Sequence, residues 1–494
     1  MVPLLVRVKL PNPEVGGGDW QNSRRARQAG KSTRLLNPDL FSKGSNGLLI
    51  TIGNTASYPK KGHMSSELLE LPLDYAAPVT LARGSFLEEL SLFNQFGQTT
   101  RQATTSARTF SGETVSVRTL VNEFWTAKQR AANRLHEISY RACFKPQLPR
   151  FFIERLTSPG DRVYDPFAGR GTTLLEAAML GRVPFGCDVN PLTVVMTRPR
   201  LNPPSMEDLE RRLREIDFSD QAEFPEDLLV FYHPETLQAI ACLKKYLQQR
   251  REHGVFDLTD DWIALVALNR LTGHSKGFFS VYTLPPNQAV SVTSQRRINE
   301  RRGQAPTPRD IVAIILKKSR SLLSQCTPEI RRTLARVSGA SRILTQASSA
   351  TPEIASDSVA LVVTSPPFLD VVDYAGDNWL RCWFLDIDPT SVKLTVPRRV
   401  DKWQVAMTEV FRELHRVLKP GGHIAFEVGE VHGGAVKLEE AVLPCGLAAG
   451  LIPAVVVIND QEFTKTANCW GVDNNHKGTN TNRIVVFQKS GKQK

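Results

Sequence analysis

Long apolar runs are what this chain most plainly lacks. None approaches the roughly 18 consecutive apolar residues that a bilayer-crossing helix needs, although 41% of the residues are hydrophobic. The apolar content is dispersed, as in a chain that folds around an internal core, and no membrane association is expected. Met1 to Lys9 is too short and too interrupted to read as a signal peptide. Cysteine is scarce, with seven in 494 residues: Cys143, Cys187, Cys242, Cys326, Cys382, Cys445 and Cys469. An odd number with no Cys-x-x-Cys pair argues against a disulfide framework and against a zinc site. His274 and His476 lack neighbours at ligand spacing, so no metal is expected. Acidic residues are outnumbered, 50 against 62 Lys and Arg, for a net charge of +12. These features point to a cytoplasmic protein with a polyanionic partner, of which nucleic acid is the commonest. A basic surface without functional meaning is the alternative.

Regular patterning is missing from residues 1–115, which hold Gly16-Gly17-Gly18, Arg24-Arg25, Lys60-Lys61-Gly62 and a Ser/Thr-rich stretch from Thr99 to Ser116. Such composition offsets little of the entropy lost on ordering. The segment reads as a poorly ordered leader or as a basic arm for nucleic acid.

Pattern begins near Leu120. Helical periodicity is expected over Val121–Leu135 and again over Phe151–Leu156. Arg162-Val163-Tyr164 and Val183-Pro184-Phe185-Gly186-Cys187 read as strands around a helix at Leu174–Leu180, a β-α-β unit. The chain is expected to divide into a first α/β half at 116–200, a mainly helical insertion at 201–340 and a second α/β half at 341–490. In that second half, Ser358 to Val363, Ile424 to Val428, Ala454 to Ile458 and Arg483 to Phe487 have the Val/Ile content of strands buried on both faces.

Two loops carry chemistry. Asp165-Pro166-Phe167-Ala168-Gly169-Arg170-Gly171-Thr172-Thr173 follows the first strand. Gly169 and Gly171 let the backbone approach a ligand, and a helix starts just after them. The string lacks the Gly-Lys-Ser/Thr of phosphate loops and the full GxGxxG of dinucleotide sites, which argues against ATP and NAD. Asp188 ends the second strand, where a carboxylate accepts hydrogen bonds from ribose hydroxyls. Capping of the helix after Asn190-Pro191 is the alternative role.

The second loop is Thr364-Ser365-Pro366-Pro367-Phe368, directly after a buried strand. The prolines stop the strand and stiffen the loop at the carboxyl edge of the sheet, where ligands bind in such folds. The Ser365 hydroxyl and the Pro366 carbonyl can hold an amino group, and Phe368 can stack on a base taken out of its helix. A proline-rich turn is the alternative reading of these five residues alone.

Together these motifs resemble those of the bacterial and phage amino-methyltransferases of DNA, the N4-cytosine and N6-adenine modification enzymes. The resemblance covers roughly 120–490. It implies a Rossmann-like α/β fold: a mostly parallel seven-stranded sheet with a last antiparallel hairpin strand, plus the helical insertion. It implies S-adenosyl-L-methionine as cofactor, with Asp165, Pro166, Phe167, Gly169, Gly171, Thr172 and Asp188 in its site. Cys143 to Pro149 resembles the family segment that folds over the methionine end, which adds Phe144 and Lys145. Thr364, Ser365, Pro366, Pro367 and Phe368 are the catalytic candidates, and their Ser-Pro-Pro-Phe spelling is more typical of N4-cytosine enzymes than of N6-adenine enzymes. The partner implied is double-stranded DNA, with a cognate restriction endonuclease as a second candidate. RNA is the alternative substrate for the same fold. Gln346-Ala347-Ser348 stands where the family pattern has an Asp, Ala360 stands where an acidic residue often begins the catalytic strand, and the insertion after Asp188 matches no simple motif order.

DNA-contact candidates are Arg296, Arg297, Arg301 and Arg302 in the insertion, supported by Lys317, Lys318 and Arg320. Trp470, Asn475 and Lys477 lie between the last two strands, in a loop expected on the catalytic side. The segment Leu271 to Gln288, polar and aromatic with hinge glycines, reads as a groove lining or as a structural loop.

Overall fold

The computed structural model describes residues 85–126, 132–140, 143–283, 289–367, 374–392, 397, 399–431, 436–460 and 481–491. Phe368, Trp470, Asn475 and Lys477 lie outside them.

Structure starts before residue 115. After α1 (Phe86–Ser91), β1 (Arg101–Arg108) and β2 (Thr114–Asn122) form an antiparallel hairpin. The Ser/Thr-rich stretch that looked poorly ordered is thus strand over much of its length. Threonine and valine are branched at Cβ and favour the extended backbone, and the Thr105 and Thr119 hydroxyls bond across the pair at 2.7 Å. The helix expected over Val121–Leu135 is not formed in its described residues. Val121 and Asn122 belong to β2, and only the 3-10 turn Arg134–His136 is helical. Asn459 replaces helical capping here: its Oδ1 accepts the backbone N–H groups of Phe124 and Trp125 at 2.7 and 3.1 Å.

The first α/β half follows as α2 (Gln147–Leu156), β3 (Arg162–Asp165), α3 (Thr172–Met179), β4 (Val183–Asp188) and α4 (Leu192–Leu201). The insertion is helical throughout its regular elements: α5 (Met206–Arg214), α6 (Pro234–Glu252), α7 (Leu258–Leu268), α8 (Val292–Arg302), α9 (Ile311–Leu323) and α10 (Pro328–Ser338). The second half comprises β5 (Arg342–Thr345), β6 (Val359–Thr364), α11 (Tyr374–Leu385), α12 (Val400–Val417), β7 (Leu418–Val428), β8 (Glu430–Val431), β9 (Val436–Lys437), α13 (Leu438–Ala448), β10 (Ile452–Asp460) and β11 (Thr481–Gln488).

Among the described residues the main sheet has nine strands in the order β1-β2-β10-β11-β7-β6-β3-β4-β5. From β5 to β10 this is the expected seven-stranded core. Its pairs are parallel except those of β11, which runs against both β7 and β10. The hairpin extends the core, because β2 pairs in parallel with β10. β6 is buried at every position, as a strand covered on both faces must be.

Apolar side chains from α12 and α13 cover one face of the sheet, including Trp403, Phe411 and Val442. Phe124, Phe151 and Phe152 cover the other, from β2's exit and α2. A third cluster fills the insertion around Trp262 and Phe231. It also takes in Leu175 of α3, Met196 of α4 and Leu380 of α11, so the insertion shares its core with the α/β halves.

Candidate active site

β3 and β6 are adjacent and parallel, while their following helices belong to different parts of the chain. The ends of these strands therefore meet at the switch point of the sheet, the position at which α/β folds take their ligands. The glycine loop leaves β3 there. Gly169 and Gly171 have φ of +50° and +74°, in the left-handed region that favours glycine. Space at Gly171 is equally restrictive, since an added Cβ would lie 2.2 Å from Thr197 Oγ1.

Asp165 ties the two loops together. It is 1% exposed, and its Oδ1 accepts the Thr364 hydroxyl at 2.6 Å and the Phe167 N–H at 3.1 Å. Burial pushes its carboxyl up to about 7, against the lowering effect of hydrogen bonds from Thr364, Phe167 and Thr173; the nearby Asp188 charge pushes the same way as burial. Thr173 Oγ1 also donates to the Val363 carbonyl at 3.1 Å. A residue of α3's first turn is thereby fixed to the strand that leads into Ser365.

Asp188 closes the loop from the other side. Its Oδ2 accepts the Gly169 N–H at 2.8 Å and its Oδ1 the Asn190 N–H at 2.9 Å. Burial raises its proton affinity, partly offset by those bonds. Asn190 carries on the chain of contacts: Oδ1 caps Leu192 N at 2.9 Å, and Nδ2 reaches the Tyr140 hydroxyl at 2.7 Å. The alternative role posed for Asp188, capping the next helix, falls to Asn190, while Asp188 holds the glycine loop. Gln346 stands where an Asp was expected, and its N–H donates to the Asp188 carbonyl at 3.1 Å. Ser348 donates its hydroxyl to Pro166 O at 2.5 Å.

The segment before α2 folds over this loop. Arg170 donates to the carbonyls of His136 and Ile138 at 3.4 and 3.0 Å and to Thr172 Oγ1 at 3.1 Å. Buried Arg200 donates in turn to the Arg170 and Leu135 carbonyls. Lys145 stands at the entry to α2, with its ammonium pushed down by burial and by Arg170. Phe144 packs with the aromatic cluster of Phe151 and Phe152. Arg381 of α11 reaches across to the Ser139 carbonyl at 3.1 Å.

Behind the second loop lie residues that motif reading missed. Glu427, near the end of β7, is 8% exposed. Its carboxyl accepts the Asn482 amide at 3.0 Å; burial raises its proton affinity, against the lowering effect of Ser365 and Asn482. Trp403, fully buried in α12, donates its indole N–H to the Pro367 carbonyl at 3.1 Å. A single acidic residue inside the apolar run Ile424-Ala425-Phe426-Glu427-Val428 was the available signal for the first. Nothing local marks Trp403.

Arg296, Arg297, Arg301 and Arg302 are carried on α8, and Arg302 lies over the Tyr282 ring at 3.8 Å. In the segment begun at Leu271, Phe278, Phe279, Ser280 and Thr283 are buried, which makes its described part a packed structural loop. The segment 461–480 lies outside the described residues. Its flanking strand ends, Asp460 and Thr481, are paired with each other near the carboxyl end of β7.

The sheet order, its single reversed core strand and the glycine loop after β3 give a Rossmann-like α/β fold. Residues 94–196 match the profile of a family described as DNA methylase. The chain is 31% identical to the type II methyltransferase M.MvaI of Kocuria varians over 97 residues, covering 19% of this chain and 20% of that protein. It is 24% identical to the type II methyltransferase M.BsoBI of Geobacillus stearothermophilus over 290 residues, covering 52% of this chain and 53% of that protein. The chain thus spans about a fifth to about half the length of these curated relatives. A solved structure of a putative DNA modification methylase from Thermus thermophilus, complexed with S-adenosyl-L-methionine, matches with a TM-score of 0.17 at 23% identity, over 28% of this chain and 51% of that one.

Proposed function

We propose that this chain is a DNA methyltransferase that modifies the exocyclic N4 amine of cytosine in a flipped base, with S-adenosyl-L-methionine as methyl donor. The observation that carries the reading is the buried 2.6 Å bond from Thr364 to Asp165. It joins a cofactor-type glycine loop to a Ser-Pro-Pro loop.

The cofactor supplies an electrophilic methyl group on a positively charged sulfur. Its site is proposed at Asp165, Pro166, Phe167, Gly169, Gly171, Thr172 and Asp188, with Phe144 and Lys145 at the segment before α2. The chain offers a fitting cradle: two positive-φ glycines with no room for a Cβ at Gly171, and a strand-end carboxylate at Asp188.

For the base, Ser365 and Pro366 supply the polar contacts. The Pro367 carbonyl is engaged by Trp403, so of the two proline carbonyls Pro366's is the one proposed to accept an amine proton. Ser365 bonds to Glu427. A hydroxyl proton given to Glu427 would leave the Ser365 oxygen free to accept an amine proton. Accepting both amine protons favours the tetrahedral nitrogen that attack requires. Glu427, with raised proton affinity, is suited to hold the proton that methylation releases. Phe368 is proposed to stack on the base. The arginines of α8 and Trp470, Asn475 and Lys477 are proposed to contact DNA, and 201–340 to carry target recognition.

Expression in a methylation-free host, followed by sequencing that reports modified bases, tests this. N4-methylcytosine at a defined site is expected. N6-methyladenine instead would replace the target, while unmodified DNA from a folded, cofactor-binding protein would sink both DNA readings. Ser365→Ala should abolish the mark and Pro366→Ala, which keeps the carbonyl but frees the loop, should weaken it, with cofactor affinity intact in both.

A further inference from the structure

Away from the two loops, three cationic side chains are carried on elements that are tied to one another, and among the described residues one carboxylate, Glu137, stands beside Lys318. Arg134 lies on the 3-10 turn Arg134–His136, Arg270 two residues beyond α7, and Lys318 on α9. Backbone tethers hold these elements together. Gln325 Oε1 accepts Arg134 N at 3.0 Å, the Gln325 carbonyl accepts Asn133 Nδ2 at 3.3 Å, and Asn269 Oδ1 accepts Ser139 N at 2.8 Å. The Lys318 side chain is 14% exposed, and the carboxylate beside it is half-exposed Glu137 at 3.7 Å. Burial, with Arg270 and Arg134 adding to it, pushes the Lys318 ammonium down to about 8 in spite of Glu137. Arg270 stacks on Phe278 at 4.0 Å and gives its Nε to the Asn269 carbonyl at 2.7 Å.

Three cations held together and partly desolvated repel one another, and one weakly placed carboxylate offsets only part of that. A doubly bonded oxyanion entering among them would relieve it. We propose that Arg134, Arg270 and Lys318 form a site for a backbone phosphate of duplex DNA. The proposal rests on the DNA-methyltransferase reading and adds a fixed anchor to it. The turn that bears Arg134 is the one whose His136 carbonyl holds Arg170 of the glycine loop. A phosphate bound here is thus registered directly against the cofactor loop, whereas the arginines of α8 stand on a largely exposed helix.

The test uses the full chain and a labelled DNA duplex, with binding followed by fluorescence anisotropy over a series of salt concentrations. Cofactor affinity is measured in parallel by calorimetry. Lys318→Gln and Arg134→Gln should each weaken DNA binding and lessen the slope of log affinity against log salt by about 1. Lys318→Arg should keep both, and cofactor affinity should stay as in the wild type. Unchanged slopes in both Gln variants, with the wild type still binding DNA, overturn the phosphate site alone. Loss of affinity with no change of slope, or failure of Lys318→Arg to retain the slope, also overturns it. A wild type that binds no duplex DNA overturns the underlying reading along with it. If duplex RNA, and not DNA, depends on these residues, the assignment to DNA fails.

Discussion

At the residue scale the strongest constraints are at Gly171, Asp165 and Glu427. Gly171→Ala combines a positive φ with a Cβ 2.2 Å from Thr197 Oγ1. Backbone strain of this kind costs about 1–3 kcal/mol, with the overlap adding to it. A lower thermal midpoint and loss of cofactor binding by calorimetry are the expected outcomes. Asp165 is protonated more readily in the folded chain than in the unfolded one, with a folded value of about 7. Below the usual carboxylate range both states hold the proton, and its burial costs least. As pH rises from about 4 to about 7 the unfolded chain releases the proton first, so this group's contribution to stability declines over that window. Asp165→Asn should therefore show a thermal midpoint less dependent on pH there than the wild type; parallel pH profiles would refute the assignment. Glu427→Gln keeps the contact with Asn482 but cannot hold a charge. A fall in kcat with little change in cofactor affinity is expected, read from single-turnover methylation assays.

Elements differ in how readily their sequences declare them. The glycine loop and Ser-Pro-Pro loop were legible because each depends on backbone chemistry, positive φ in one and proline rigidity in the other. β6 was legible from its apolar, valine-rich run. The β1–β2 hairpin was not, since its Ser and Thr content resembles that of an unfolded polar tract. Its place in the sheet comes from the distant pairing of β2 with β10. Helix α8 was read as a basic stretch because its polar composition has almost no apolar face; Ser291 capping and the bonds of Gln295 and Asn299 to Tyr282 and Val230 carbonyls hold it instead. The hairpin also gives an element-scale expectation. Asn459→Ala leaves the buried N–H groups of Phe124 and Trp125 without the carbonyl oxygen that now accepts them, at roughly 1–3 kcal/mol for each such group. Denaturant unfolding should show the lost stability, and proteolysis should cut first near β2's exit.

At the scale of the whole molecule, Val79 to Lys494 forms one compact unit, and the insertion contributes to a core shared with α3, α4 and α11. The mainly helical character of the insertion was readable in the sequence, α8 excepted, but that sharing was not, because it arises from contacts far apart in sequence. β11 is the structural keystone of this unit. Among the described residues, the strands β10, β2 and β1 reach the other five of the main sheet only through it. Its two neighbours, β7 and β10, come earlier in the chain, so the sheet cannot zip up in the order in which ribosomes deliver its strands. Long-range closure of this sort is slow. A nascent chain lacking β11 holds two unjoined sheet fragments with open edges, which gives chaperones a defined window in which to act.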